Sequence, residues 1–328
     1  MVASKKVPKP LEYNASIVKR TDLNEHLAIF FVQPDPKPDV EGQSAARVQP
    51  FVAGQYAVLG ANNEKQPGKG SVRRAYSIAS PPEEQRWLEF YIRFVQKPES
   101  ENPLTHLLWN MREGDRLWLG PKITGRFTLS HTVGDEDPRL KIFVAAGTGL
   151  APFVSIIKNA MMKRDSGQGE HLARYVVLHG ANHPHEFGYK EDLEMVLNDV
   201  QERYFPTVSL PQQNPDWKGD TGRVETFFDE EKLDALEQRI GIQPGQLTPD
   251  NCVVYICGLQ GTIALTLIRL LERGFVPNDK RIREALQLPS EMKSTLFFEQ
   301  YDSDPVIDLK NEEFIQKLRQ TFPQGIHT

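Results

Sequence analysis

From residue 139 onward the chain alternates between short apolar runs and segments of helical character. The runs are Leu140–Ala145, Tyr175–Gly180, Thr207–Leu210 and Val253–Cys257; the candidate helices between and after them are Pro152–Arg164, Lys190–Glu202, Glu225–Arg239 and Thr262–Arg273. Such alternation is the signature of an α/β, doubly wound parallel sheet. Residues 11–132 read differently. Candidate strands Tyr13–Lys19, His26–Val32, Gln55–Leu59, Arg74–Ile78, Trp87–Phe94 and Arg116–Leu119 are separated by turn residues, which predicts a small antiparallel β-barrel. One helix interrupts it, capped by Asn102, opened by Pro103 and running through Met111. Gln33–Pro50 is a Pro-rich insertion that reads as a surface loop. The polar stretch His131–Pro138 marks the boundary. Two domains follow, 11–133 and 139–301, with an extension 302–328. In the extension Asn311 is placed to cap a helix whose Phe314, Ile315, Leu318 and Phe322 form one apolar stripe.

Bulk properties exclude several classes. No apolar run approaches the roughly 20 residues that span a bilayer. The N-terminal lysines have no apolar core behind them, so they do not read as a secretory signal. The formal net charge of −5 argues against a general nucleic-acid binder. The two cysteines, Cys252 and Cys257, lie in one strand-like run on opposite faces, so a disulfide is not expected and a reducing, cytoplasmic setting is the simpler reading. Two thiols do not make a four-thiolate iron–sulfur site, and no His/Cys cluster has zinc spacing. Redox chemistry in this chain therefore calls for an organic cofactor.

Three motifs carry chemistry. In KIFVAAGTGLAPF a strand runs into Gly147-Thr148-Gly149, and Pro152 opens a helix. Glycines allow close backbone approach to a pyrophosphate, and a helix start offers N–H donors. Alone, this is equally a tight strand-to-helix turn. In SVRRAYSIAS, Arg74 can clamp a phosphate, Tyr76 can lie against a flat ring and Ser77 can donate a hydrogen bond; alone, it is a surface strand. In VVYICGLQG, Cys257 and Gly258 end an apolar strand at the edge where open parallel sheets bind ligands; alone, Cys257 is a buried structural thiol.

In this order and spacing the three motifs resemble the ferredoxin–NADP reductase family. Weaker matches at Phe51–Tyr56, Leu88–Val95 and Leu104–Phe127 extend the resemblance over roughly Tyr13 to Tyr301. The resemblance implies an FAD-binding barrel followed by an NADP(H)-binding domain. Arg74, Ala75, Tyr76 and Ser77 match the flavin motif, with the arginine on the FAD pyrophosphate, the tyrosine beside the isoalloxazine and the serine at N5. Tyr91, Ile92, Arg93 and Thr105 match positions that hold the rest of FAD. Gly147, Thr148, Gly149 and Pro152 match the NADP pyrophosphate cradle, and Cys257 and Gly258 border the nicotinamide pocket. Glu299 and Tyr301 match a Glu-x-Tyr pattern whose tyrosine stacks on the flavin. Ser77, Cys257, Glu299 and Tyr301 together resemble the family's catalytic set.

Two departures matter. Residues 302–328 follow the tyrosine that ends plant-type members. NADP selectivity in the family uses a Ser-Arg pair; here Ser209 is followed by Leu210, which cannot grip a 2′-phosphate. Lys218 and Arg223 are candidate replacements, and NAD(H) stays open as the donor. The implied partner is a ferredoxin or flavodoxin. Such carriers are acidic, and Lys65, Lys69, Arg73 and Arg93 are candidates for a basic docking face. The alternatives are an NADH-dependent reductase component of an oxygenase and a non-catalytic flavoprotein-like subunit. His179, His183 and His185 read as part of a solvated loop with Tyr189.

Overall fold

The computed structural model describes residues 9–38, 44–168, 171–198, 201–301 and 304–323. It divides into two compact units, one of residues 1–128 and 154–159, the other of residues 129–153 and 160–328.

The first unit is built on β1 (Ala15–Asn24), β2 (Leu27–Pro34), β3 (Lys37–Pro38), β4 (Ser44–Ala45), β5 (Tyr56–Asn62), β6 (Ser71–Ser77), β7 (Leu88–Arg93), α1 (Leu104–Trp109) and β8 (Arg116–Leu119). Six strands form an antiparallel sheet in the order β6-β5-β8-β1-β2-β7. Its two end strands meet through an Ile78–Phe90 bridge, with Ala79 N donating to Glu89 O at 2.9 Å, giving the expected barrel. Alternation along the strands points Ile17, Phe30, Val32, Leu59, Phe90 and Ile92 into one core. β1 continues to Asn24, beyond the expected Lys19, because its hairpin with β2 pairs down to Asn24 and Leu27. Likewise β6 starts at Ser71 because β5 pairs with it as far as Asn62. Asn102 does not cap α1. Its amide donates to Lys69 O at 3.3 Å and its Oδ1 accepts from Asn63 at 2.9 Å, while Pro103 takes the cap position in an extended conformation. In the insertion expected to be plain loop, β3 and β4 pair with each other; residues 39–43 lie outside the described residues.

The second unit contains α2 (Leu129–Thr132), β9 (Leu140–Ala146), α3 (Ala151–Asp165) apart from its residues 154–159, β10 (Tyr175–Ala181), α4 (Lys190–Leu197), β11 (Tyr204–Val208), β12 (Asp220–Thr221), α5 (Glu230–Arg239), β13 (Cys252–Gly258), α6 (Gln260–Leu271), α7 (Lys280–Ala285), β14 (Leu296–Gln300) and α8 (Glu312–Thr321). The strands are parallel, in the order β12-β11-β10-β9-β13-β14. The chain steps outward from β9 to β12, then returns to the other side of β9 with β13. That reversal opens a crevice beyond the carboxyl ends of β9 and β13. Every residue of β10 and β13 is buried, as strands covered on both faces require, which is why they read as largely apolar runs.

Several boundaries differ from expectation. α4 ends at Leu197, not Glu202. β11 ends at Val208, leaving Ser209 and Leu210 just past the strand. The helix expected from Glu225 splits into a 3-10 turn, Val224–Phe228, and α5, because Asp229 between them is extended. In the tail, Asn311 caps α8 by accepting from Phe314 N at 3.0 Å. Ile315, Leu318 and Phe322 join Val306 and Ile307 in the buried core that also contains β13 and α6 residues. Among the described residues no helix is long and apolar enough to cross a membrane.

Candidate functional site

In the second unit the crevice is built by backbone. β9 leads into Gly147, whose φ of 54° lies in the left-handed region that glycine adopts without penalty. Residues Gly147–Leu150 make one 3-10 turn and pass directly into α3, with Pro152 in its first turn. The N–H groups at such a start have no helical partner and suit an anion. A Cβ on Gly149 would lie 2.1 Å from the Cys257 carbonyl oxygen, so the turn reaches the end of β13 only because residue 149 has no side chain.

Cys257, Glu299 and Tyr301 gather at that end. Cys257 is in register with Glu299 across β13 and β14. Tyr301 N donates to Gly258 O at 3.3 Å, and the Tyr301 hydroxyl donates to Thr148 O at 3.4 Å. Burial, reinforced by the Glu299 charge, raises the Cys257 thiol well above its ordinary pKa; a hydrogen bond with Tyr301 offsets only part of this. The thiol therefore stays protonated at neutral pH and is a poor nucleophile. Gly147, Thr148, Gly149, Cys257, Gly258, Glu299 and Tyr301 thus form one constellation. The Tyr301 side of it is open, with Tyr301 44% exposed.

The remaining residues expected on the dinucleotide lie further out. Ser209, at the end of β11, is two strands from β9, which is about 10 Å at ordinary strand spacing. Its hydroxyl donates to Asn182 Oδ1 at 2.8 Å. Arg223 lies near Gly261 at the start of α6, and its guanidinium is paired with Glu225. Lys218 is exposed and lines a groove of about 490 Å³ with Lys190, Trp217 and Arg239.

In the first unit the expected residues fall on the two edge strands, β6 and β7. Arg74 and Tyr76 share a face by their two-residue spacing. Arg74 is exposed; its Nη1 donates to Arg73 O at 2.8 Å, and among the described residues no carboxylate pairs with it. The Tyr76 ring meets Phe90 edge-on at 6.5 Å, and burial raises its hydroxyl pKa against the opposing effect of Arg74. Ala75 is exposed, while Ser77 is buried beside the bridge that closes the barrel. On β7, Tyr91 is buried and Arg93 is half-buried opposite Leu27. The Ile92 side chain belongs to the barrel core, so only its backbone can face a ligand. Thr105 is buried on α1, and its hydroxyl accepts from Val95 N at 3.4 Å, seating the segment after β7.

The histidine-containing segment departs from the expected loop. His179 lies within β10 and is fully buried, and Tyr189 is also buried. His179 Nδ1 is 2.9 Å from the Tyr204 hydroxyl, and Nε2 is 3.1 Å from Gly147 O. Sequence pattern did not reveal this link to the glycine turn; the polar residue inside an apolar strand was the available signal. His183 and His185 stack at 5.2 Å beside a 3-10 turn.

Residues 143–266 match the family model described as the oxidoreductase NAD-binding domain. The ferredoxin–NADP reductase of Azotobacter vinelandii is 31% identical over 218 residues, covering 63% of this chain and 73% of that one. One chain of the Na(+)-translocating NADH-quinone reductase of Histophilus somni (strain 129Pt) is 28% identical over 194 residues, covering 56% of this chain and 42% of that one. A solved ferredoxin NADP+ reductase from Neisseria gonorrhoeae, with bound FAD and NADP, has a similar fold with TM-score 0.65 and 21% identity, covering 88% of this chain and 98% of that chain.

Proposed function

The chain belongs to the ferredoxin–NADP reductase family of oxidoreductases, and on that premise we propose that it is an FAD-dependent reductase that exchanges electrons between NADP(H) and a ferredoxin or flavodoxin. The observation that carries this reading is the gathering of Cys257, Glu299 and Tyr301 around the Gly147–Leu150 turn.

The residues fit the two groups the reaction needs. The glycine turn is a cradle that a single Cβ would fill, and its N–H donors suit the dinucleotide pyrophosphate. Arg74 is a cation that has no carboxylate partner among the described residues, on an edge strand and suited to the FAD pyrophosphate; Tyr76 and Ser77 lie beside it for the isoalloxazine. Tyr91, Arg93, Thr105 and the Ile92 backbone would hold the rest of FAD. When bound, FAD supplies the conversion between a hydride and the single electrons that a protein carrier takes. The protein's own part is orientation and protection. Tyr301, held through its backbone and hydroxyl beside Gly258 and Thr148, would compete with nicotinamide, preventing overly tight binding of substrate and product. The neutral Cys257 thiol would pack against nicotinamide, and Glu299 would hold a proton near it.

Lys65, Lys69 and Arg73 are exposed and, with the half-buried Arg93, would present a basic docking face to an acidic carrier. A second reading, an NADH-dependent reductase component of an oxygenase, is favoured by Leu210 at the end of β11 and by the Glu225 partner of Arg223.

The test is NADPH-dependent cytochrome c reduction by the FAD-loaded protein, with and without added ferredoxin or flavodoxin. Carrier-dependent reduction that Lys69→Glu weakens, while NADPH-to-dye reduction is spared, supports the reading. Equal loss in both assays removes the docking role, and failure of either carrier to stimulate cytochrome reduction removes the ferredoxin/flavodoxin assignment.

A further inference from the structure

The imidazole of His179 links the turn after β9 to the Tyr204 side chain of β11. It stands in β10, fully buried, with Phe187 edge-on at 5.1 Å. A carbonyl oxygen only accepts hydrogen bonds, so the contact to Gly147 O requires the proton on Nε2. In the neutral ring Nδ1 is then an acceptor, and the Tyr204 hydroxyl donates to it. Tyr204 is 1% exposed and His179 is fully buried, so both partners of this contact sit inside the protein.

The consequence follows from peptide geometry. The carbonyl of one residue and the N–H of the next lie in one plane and point in opposite directions. Pulling the Gly147 carbonyl inward to His179 therefore aims the Thr148 N–H outward, away from β10. Gly147 adopts left-handed φ freely, so without a restraint its peptide has other accessible orientations, including one that turns the carbonyl outward and repels an anion.

We propose that His179 is a positioning residue for the dinucleotide: it pins the Gly147–Thr148 peptide so that the Thr148 N–H faces the pyrophosphate. This rests on the reading of Gly147–Leu150 as the dinucleotide cradle. Glutamine places its amide nitrogen near the position of imidazole Nε2 and keeps the donor; phenylalanine keeps the ring and loses it. Tyr204→Phe removes only the hydroxyl that orients the imidazole.

The experiment uses the full-length, FAD-loaded chain. NADP+ binding is measured by titration calorimetry, and kcat/KM is measured with NADPH and with N-benzyl-1,4-dihydronicotinamide, a hydride donor without phosphate. His179→Phe is expected to weaken NADP+ binding about five- to tenfold, the scale of one lost hydrogen bond, and to lower the NADPH-to-benzyl ratio of kcat/KM by a similar factor. His179→Gln is expected to recover most of the loss, and Tyr204→Phe to show a smaller loss of the same kind. Unchanged NADP+ binding in His179→Phe, an unchanged donor ratio, or no recovery with glutamine overturns the proposal. Should His179→Phe fail to fold, Tyr204→Phe decides, with unchanged binding and ratio overturning it. Wild-type protein that binds NADP+ yet reduces no carrier overturns the proposed function instead, and the binding comparison still tests His179.

Discussion

Gly149→Ala is the sharpest perturbation of the dinucleotide crevice. The new Cβ would sit 2.1 Å from the Cys257 carbonyl oxygen, 2.6 Å from its carbon and 3.1 Å from Gly258 N. All three are backbone atoms, so no rotamer change relieves the clash. The turn after β9 and the end of β13 must separate by roughly 1 Å to restore ordinary contact. Overpacking of this kind costs about 1–3 kcal/mol. In a unit of this size each kcal/mol lowers Tm by about 2–4 °C, so a fall of roughly 2–12 °C is expected. The same shift moves the cradle relative to Cys257 and Tyr301. A misplacement of about 1 Å can cost up to a hundredfold in rate, and at least a tenfold fall in kcat/KM for NADPH is expected. Gly68→Ala is the control, since nothing lies within 4 Å of its added Cβ. Thermal melts and NADPH-to-ferricyanide kinetics give both readouts. Gly149→Ala with Tm and kcat/KM indistinguishable from Gly68→Ala would refute the close-approach argument.

Three other outcomes are expected. Tyr301→Ser loses the ring and the hydroxyl contact to Thr148, so NADP+ should bind several-fold more tightly and turnover should slow; unchanged affinity on titration means that Tyr301 does not compete with nicotinamide. Leu210→Arg places a cation beyond β11 and should raise the NADPH-to-NADH ratio of kcat/KM about tenfold; an unchanged ratio places the 2′-phosphate elsewhere. Burial would lift the Asp137 carboxyl, but hydrogen bonds and charge from Arg139, with Lys141, outweigh it and hold its pKa below the ordinary value. That stability is fully present above the unfolded pKa near 3.9 and is lost as pH falls through the lower folded value. Asp137→Asn should therefore lower Tm at neutral pH, with the gap to wild type closing as pH falls below the unfolded value near 3.9; a gap that stays constant contradicts the assignment.

Much of the architecture was legible because its physics is local. The runs of β9, β10 and β13 are largely apolar where both faces are covered, and the turn residues between barrel strands are short-range signals. Asn311 with Glu312 and Glu313 announced α8 for the same reason. Other elements depend on distant partners. β14 is a short strand whose last three residues are only half-buried, and it exists by pairing with β13. α7 went unnoticed although Asp279 caps it, accepting from Ile282 N at 2.9 Å, because six residues carry little periodicity. Asn102 looked like a cap by position, but its side chain is engaged by Asn63 and Lys69, residues far away in sequence.

The candidate site divides the same way. The glycines of the turn, Cys257 and Tyr301 were visible as motifs. Their convergence needs the strand order, which places β9 beside β13. His179 looked like part of a solvated loop because the residues after it are polar; its contacts come from β11 and from the turn after β9, which sequence spacing does not reveal. Arg223 was a candidate for the missing phosphate cation, but Glu225, two residues on, pairs with it.

The most direct test is anaerobic rapid mixing of the FAD-loaded protein with NADPH or NADH, following loss of the flavin absorbance. Fast bleaching by NADPH, slowed in Gly149→Ala and preserved in Gly68→Ala, is the expected result. Failure of both donors to bleach a bound flavin, or failure of the purified protein to retain FAD, would contradict the assignment as an FAD-dependent dinucleotide reductase.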